Sequence, residues 1–470
     1  VDDLRAKLLR RLAPYGQEHI LRFWDELDDT ARARLAQQVA SLDLELIDEL
    51  VRTRLSDDRS GVTFDFGPVE VTGPPRTDEE RSAYERAREV GGRLLREGRA
   101  ACVVVAGGQG TRLGYDGPKG TFPIGPVSQR SIFQLHVEKI RALGRRHDTH
   151  IPLFVMTSVT NDEATRTFFE RNGNFGLPDE DVFFFVQGMV PAVDLSGRLI
   201  LDAPGHVFQN PNGHGGVLSA LVDSGGTAEM KGRGITDIFH FQVDNVLVDP
   251  AEPVFLGFHH LTGAEMSSKV TPKRNAEEPV GVTVRRSDGR TAVVEYMDLG
   301  DEQARRKAPD GSLLFAAANL CIFWYTVDFV EAVDGRGGLP YHLARKKVPA
   351  VDENGKCVEP TEPNGVKFET FVFDALPQAE RTFLMEIDRA EEFAPVKNAT
   401  GEDSVASARQ AMTERSGRWL ESCGVEVPRR KDGLSLHPVE ISPLYALDAE
   451  ELKSRLPDRL EIDGPLLLEN

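Results

Sequence analysis

Between residues 101 and 120 a run of small and β-branched residues stops abruptly in glycine. It reads Ala101-Cys-Val-Val-Val-Ala-Gly-Gly-Gln-Gly-Thr-Arg-Leu-Gly114, followed by Asp116-Gly-Pro-Lys-Gly120. No other stretch limits the possible fold as strongly. A short apolar run of this kind predicts a buried strand, and glycines directly behind it let backbone amides approach an anionic ligand closely. The cationic side chains of Arg112 and Lys119 follow within reach of the same ligand. Such a loop is suited to phosphate.

Two familiar phosphate loops fit poorly. A Walker loop needs Gly-Lys-Ser/Thr behind its glycines, whereas Gly110 is followed by Thr111 and Arg112. A dinucleotide fingerprint needs Gly-x-Gly-x-x-Gly, and the glycines at 108, 110 and 114 are spaced one residue too wide. Gly-Gly-x-Gly-Thr-Arg-Leu followed by Pro-Lys-Gly instead resembles the signature of nucleotidyltransferases that make nucleotide sugars.

With 56 Lys+Arg against 75 Asp+Glu, the chain carries a formal charge of −19, which argues against nucleic acid or an anionic membrane as its main partner. A nucleotide site is therefore a local cationic pocket on an acidic body. Cys102, Cys321, Cys357 and Cys423 are widely spaced, so neither a zinc site nor a disulfide scaffold is indicated; Cys102 and Cys321 lie in apolar runs and are expected to be buried thiols. No apolar run approaches the length of a membrane span, and the first residues lack the layout of a secretory leader. A cytoplasmic protein is expected.

Residues 1–95 show helical periodicity, with Leu4, Leu8, Leu9 and Leu12, then Ile20, Leu21, Trp24 and Leu27 at three- and four-residue steps. Residues 61–75 read as an extended linker and 79–99 as a charged helix. From 100 to 250 strands (101–106, 151–158, 182–187) alternate with helices (131–143, 161–171), predicting a mainly parallel sheet that binds ligands at the carboxyl ends of its strands. Residues 236–248 place Asp244 and Asn245 in an apolar run. A carboxylate there must lie at the strand's edge, be hydrogen-bonded or pair with a cation. For a ligand with several phosphates, Mg²⁺ at Asp244 is the expected partner. Strands at 279–286, 291–296, 313–326, 367–373 and 383–387 predict an added mixed region, and Glu295 and Asn319 are polar residues within it.

Taken together, the motifs resemble the eukaryotic-type UDP-sugar pyrophosphorylases, most closely the UDP-N-acetylglucosamine pyrophosphorylase branch. The resemblance begins at Gly16-Gln-Glu-His-Ile-Leu-Arg-Phe-Trp24 and runs through the glycine loop, Gln187-Gly-Met-Val-Pro-Ala192, Asn212-Gly-His-Gly-Gly216 and Val243-Asp-Asn245. It continues in Glu278-Pro-Val-Gly281, Val294-Glu-Tyr296, Phe371-Val-Phe-Asp374, Val396-Lys-Asn398 and Glu440-Ile-Ser-Pro-Leu444. It implies an α/β fold with a Rossmann-like nucleotidyltransferase domain of mixed sheet at 96–395, a helical N-terminal region at 1–95 and a small C-terminal domain at 396–470.

The same resemblance implies UTP and a sugar 1-phosphate as substrates and gives each matching residue a role. Gly107, Gly108, Gln187 and Gly213 would hold uracil and ribose. Arg112, Lys119 and Lys397 would grip the phosphates, and Asp244 the Mg²⁺. Gly281, Glu295 and Asn319 would line the sugar pocket. His214 and Ala318 depart from the N-acetylglucosamine branch: Gly-His-Gly at 213–215 is more like the UDP-glucose enzymes, which makes His214 a candidate for reading the sugar's 2-position. N-acetylhexosamine 1-phosphate is the first expectation and glucose 1-phosphate the second. A non-catalytic nucleotide-sugar binding protein and a nicotinamide oxidoreductase are the readings from other classes.

Overall fold

The computed structural model describes residues 2–55 and 64–469. Its contacts form two compact units, one from Val1–Gly61, Gln187–Gly216 and Leu339–Val372, the other from Val62–Val186, Val217–Gly338 and Phe373–Asn470. These groupings cut across the continuous segments 1–95, 96–395 and 396–470, because each unit is closed by side chains that are remote in sequence.

In the first unit the helices are α1 (Asp2–Leu12), α2 (Asp29–Ser41) and α3 (Leu44–Leu50). Asp28 and Asp43 cap α2 and α3 by accepting the amides of Ala31 and Leu46. Leu8, Leu12, Ile20, Leu21 and Trp24 are buried with Val193, Leu199, Val366 and Phe368, so the helical stripe packs on the two inserted segments; Leu4 of that stripe lies exposed. The Gly16–Trp24 motif has a structural task here. Buried Gln17 donates to the Gly197 carbonyl at 3.1 Å and accepts the Leu199 amide at 2.9 Å.

The second unit is built on a sheet of ten strands among the described residues. They are β1 (Phe66–Pro68), β2 (Ala100–Val105), β3 (Leu153–Thr157), β4 (Val182–Val186), β5 (Asp237–Gln242), β6 (Met266–Pro272), β7 (Val282–Arg286), β8 (Thr291–Val294), β9 (Ala317–Thr326) and β10 (Thr382–Glu386). The main path runs β1-β7-β9-β5-β2-β3-β4; β6 pairs with β9 and β10, and β8 with β7. Strands β5, β2, β3 and β4 are parallel and β9 is antiparallel to β5, which gives the mixed sheet expected. The segment read as a linker is drawn into this sheet through β1 and a bridge from Thr72 to Met385; its residues 61–63 lie outside the described residues.

All six side chains of β2 are buried, as its composition requires of a strand covered on both faces. Helices α4 (Asp78–Arg96), α5 (Ile132–His147), α6 (Asp162–Arg171), α7 (Pro253–Leu261) and α8 (Val405–Ser422) flank the sheet in sequence, and residues of α4, α5, α7 and α8 share its core. Leu420, Val439, Leu452 and Ile462 close a separate small core near the C-terminus. No helix among the described residues is long and apolar enough to cross a membrane.

Candidate active site

Strand β2 continues to β3 on one side and has β5 on the other, so the sheet reverses direction of winding between β2 and β5. Open α/β sheets bind ligands at such a switch point, beyond the carboxyl ends of the strands. The register pairs Val105 with Gln242, and the Val243 amide donates to the Val105 carbonyl at 3.1 Å. Gly107 and Asp244 each lie two residues beyond those paired ends. Sequence-distant candidates therefore meet at one edge.

The glycine loop folds back on itself. The Lys119 amide donates to the Gly108 carbonyl (3.0 Å) and the Gly110 amide to the Gly117 carbonyl (2.8 Å). Buried Ser158 and Asn161, at the end of β3, hold its outer side: Ser158 Oγ donates to the Gly107 carbonyl at 2.9 Å, and Asn161 Nδ2 to the Ala106 carbonyl at 2.9 Å. Among the described residues no protein acceptor is paired with the amides of Gly107 and Gly108. Arg112 is exposed on the turn Thr111–Leu113.

Lys119 Nζ lies 3.4 Å from Asp244 Oδ2, with side-chain exposures of 17% and 16%. Asp244 sits just past the end of β5, in a turn, and is paired with a cation, which settles where the apolar run 236–248 breaks. The pair is loose. Charge-assisted hydrogen bonds run at about 2.7–2.9 Å, so a phosphate oxygen can compete for Lys119. The Val396 amide donates to the Asp244 carbonyl at 2.9 Å, which brings exposed Lys397 to the same place.

The three residues expected at the sugar also come together. The Asn319 amide donates to the Gly281 carbonyl at 2.9 Å. A Cβ on Gly281 would meet Val293 Cγ1 at 2.8 Å and Glu295 Oε1 at 3.1 Å, so the position is tight for any larger residue. Glu295 lies just beyond β8, at the start of the short helix Tyr296–Leu299, rather than within a strand. Asn319 is on β9, where the pairing with β6 shifts register between Ser268 and Val270 and Cys321 takes a φ of 54°. That bulge re-aims the strand beside the site, as bulges near active sites do. Burial pushes the Cys321 thiol up to about 12, and the charges of Lys397, Glu295 and Asp244 all act on it.

Gln187, Gly213 and His214 belong to the first unit. Gln187 Nε2 donates to the Gly213 carbonyl at 2.5 Å, so one of its two N–H donors is engaged within the turn. Gly213 has φ 85°, and a Cβ there would stand 2.3 Å from the Thr370 carbonyl oxygen; only glycine fits. His214 Nδ1 accepts the Val372 amide at 3.3 Å and its ring stacks on Phe371 at 5.3 Å, which leaves the proton of the neutral ring on Nε2. The Phe371–Asp374 motif is thereby explained in part as the seat of the His214 turn.

Residues beneath the Asp244 turn were not legible as functional. His136 Nε2 bonds the Val243 carbonyl (2.9 Å), Lys139 Nζ donates to the carbonyls of Val246 (2.9 Å) and Val248 (2.6 Å), and Arg415 Nη1 donates to that of Leu247 (3.0 Å). The signal available was two basic residues three apart on the apolar helix α5. Among the described residues no group of three or more His, Cys, Asp or Glu side chains is placed to hold a metal by itself.

The chain matches the UTP–glucose-1-phosphate uridylyltransferase family over residues 76–439, well over half of its 470 residues. It is 38% identical over 501 residues to the human UDP-N-acetylhexosamine pyrophosphorylase-like protein 1, covering 99% of this chain and 97% of the relative. It is 37% identical to UDP-N-acetylglucosamine diphosphorylase 1 of Arabidopsis thaliana, covering 96% and 90%. The structure resembles the uridine diphosphate N-acetylglucosamine pyrophosphorylase of Trypanosoma brucei at a TM-score of 0.85 and 29% identity, covering 99% of this chain and 98% of that one. The glycine loop at a sheet switch point, the Lys119–Asp244 pair beside it and these whole-length likenesses agree, and the chain belongs to the UTP–glucose-1-phosphate uridylyltransferase family.

Proposed function

We propose that the protein transfers the uridylyl group of UTP to an N-acetylhexosamine 1-phosphate, N-acetylglucosamine 1-phosphate first, giving the UDP-sugar and pyrophosphate. The observation that carries this reading is the loose Lys119–Asp244 pair at the switch point, with Lys397 delivered beside it through the Val396–Asp244 hydrogen bond. Whole-length relatives named for N-acetylhexosamine or N-acetylglucosamine support the choice of sugar.

The reaction is an in-line attack of the sugar phosphate oxygen on the α-phosphorus of UTP. The attacking oxygen is already ionised, so no general base is required; the obstacle is repulsion between two anions. Lys119 leaves Asp244 for a phosphate oxygen, while Arg112 and Lys397 add positive charge around the leaving pyrophosphate. Orientation and electrostatics supply the rate without a covalent intermediate. A single carboxylate suits Mg²⁺, which favours one or two protein carboxylates completed by phosphate oxygens and water, so Asp244 is its proposed protein ligand. When bound it would neutralise phosphate charge. Gln187 and Gly213 are proposed as uridine contacts, and Gly281, Glu295 and Asn319 as sugar contacts. A cytoplasmic setting belongs to the same proposal and rests on composition, with four dispersed cysteines on an acidic chain.

The test is pyrophosphate release with UTP and Mg²⁺, run against N-acetylglucosamine, N-acetylgalactosamine, glucose and galactose 1-phosphates. Preference for an N-acetylhexosamine is expected. Preference for glucose 1-phosphate would overturn the sugar assignment and turn attention to the Gly-His-Gly turn at His214. No turnover with any of the four would favour a nucleotide-sugar binding protein.

A further inference from the structure

The segment that carries Lys397 is laced to the loop that carries Asp244. Asn245 donates Nδ2 to the Glu392 carbonyl and accepts the Ala394 amide, both at 2.9 Å. The Val246 amide donates to the Ala394 carbonyl at 3.3 Å and the Val396 amide to the Asp244 carbonyl at 2.9 Å. Lys397 is the first residue past this lace. Its reach toward the phosphates is thus set on one side by how firmly residues 392–396 are held, and on the other by its own amide, which donates to the Asp403 carbonyl at 2.7 Å.

A cluster of charge lies beneath the lace. Lys269, on β6, is fully buried; its Nζ donates to Glu392 Oε1 at 2.5 Å and Oε2 at 2.7 Å and stands 2.8 Å from Glu252 Oε2. Glu392 is 6% exposed, and its Oε1 lies 3.5 Å from the Asp249 amide in the loop that follows Asp244. Burial opposes the Lys269 charge, but Glu252 and Glu392 outweigh it and hold the ammonium above its ordinary range. Well-packed apolar residues in such a place are often as stabilising as buried ions, or more so. Stability alone does not account for the cluster. What the ions add is direction, since Lys269 can hold the Glu392 carboxylate in only one place, and the Glu392 backbone is the anchor of the lace.

We infer that the Lys269–Glu392 pair positions Lys397 for the transfer step, by clamping the start of the segment that is laced to the Asp244 loop. Neither residue touches substrate in this account, so both are positioning residues. The inference rests on the reading of Lys397 given above.

The experiment is a double-mutant cycle on the full chain. Lys269→Met and Glu392→Gln are introduced together, which removes the charge pair while nearly preserving volume, in the native background and in Lys397→Met. Folding is checked by thermal melting, and kcat and KM for UTP are read from pyrophosphate release. In the native background kcat falls by about 10- to 100-fold with KM for UTP nearly unchanged, the pattern of a group that acts only in the transition state. In the Lys397→Met background the same pair of changes costs less than about threefold, because its effect runs through the missing lysine. Equal losses in both backgrounds overturn the inference, as does a full-size loss carried by KM alone. If the paired variant does not fold, Glu252→Gln, at the partly exposed end of the cluster, takes its place. A smaller loss is then expected in the native background and none in Lys397→Met, and equal losses again overturn the inference. Near-native turnover of Lys397→Met alone would remove Lys397 from the reaction, and this inference with it; that is a separate failure from equal losses.

Discussion

Replacing Lys119 by methionine separates the two tasks assigned to that side chain. In the structure its ammonium stands 3.4 Å from the Asp244 carboxylate. At an effective dielectric constant of about 20 the gross attraction over that distance is roughly 5 kcal/mol. Most of it is offset by hydration, because both groups keep some solvent access, and the loss of stability should be no more than about 1 kcal/mol. The transition state is more sensitive. A positioned donor aimed at developing charge is worth about 2.7–4 kcal/mol, or a factor of about 10² to 10³ in kcat. Lys119→Met is therefore expected to melt near the native temperature and to release pyrophosphate several hundredfold more slowly at saturating UTP and sugar 1-phosphate. Asp244, relieved of its competing cation, should then reach half-maximal rate at a lower Mg²⁺ concentration than in the native protein. A kcat within threefold of native would refute the catalytic task, and a raised Mg²⁺ requirement would refute the exchange of partners.

Asp244→Asn keeps the shape of the turn but removes the charge; the Mg²⁺ concentration for half-maximal rate should rise at least about tenfold, as read by metal titration of turnover, since Mg²⁺ relies on so few protein ligands. Gly213→Ala places a Cβ 2.3 Å from the Thr370 carbonyl oxygen at φ 85°, and left-handed strain of about 1–2 kcal/mol plus overpacking of about 1–3 kcal/mol should lower the melting temperature measurably. An unchanged melt would count against the tight turn. Burial, with Lys139 adding to it, draws the His136 imidazole down to about 3. Unfolding frees that ring to take a proton near its ordinary value of 6.5, so the unfolded state binds more protons between about pH 6.5 and 3, and stability falls as pH falls through that window. His136→Gln, which can still donate to the Val243 carbonyl, should flatten the acid limb of a denaturation-midpoint profile; an unchanged slope would show that His136 does not set it.

The sheet and the ends of its strands were legible because local pattern and tertiary demand coincide there. Ala100–Val105 is apolar at every position and buried at every position, and the glycines begin where the backbone must leave the sheet. That Asp244 meets a cation was legible as one of three alternatives, since a carboxylate in an apolar run needs some compensation, but the cation expected there was Mg²⁺, and nothing in the sequence named Lys119 as its partner. Position within an element was harder to read. Glu295 follows Val294 directly, yet it opens a helix rather than extending the strand, and nothing in its local pattern marks the change. The anchors were not legible at all. Asn161, Asn245, Glu392 and Lys269 act on backbone groups far away in sequence, and a buried lysine reads as an ordinary surface charge until its carboxylates are in view. The stripes at residues 4–27 were legible as helical periodicity, but the segments they pack on lie near 190–210 and 350–370, and no periodicity in the stripes names them.

These anchors share a physical logic with the loose pair they surround. The turn after β5 exposes successive carbonyls, and those of Val243, Val246, Leu247 and Val248 are taken up by His136, Lys139 and Arg415. Lys139 is buried deeply enough that its ammonium is drawn down to about 7, and Arg415 is fixed in turn by Asp249, at 2.8 Å and 2.7 Å from its two oxygens. Buried donors of this kind lose much if they move, because each polar group left unpaired costs about 1–3 kcal/mol. The backbone of the turn is thereby held stiff from below. Among the described residues the Asp244 side chain above it keeps a single long contact, to Lys119. That division suits a reaction between two anions: the positions of charge must be fixed before the substrates arrive, while the charges themselves must be exchangeable, so that phosphate oxygens can replace a carboxylate on Lys119 without unfolding anything around it.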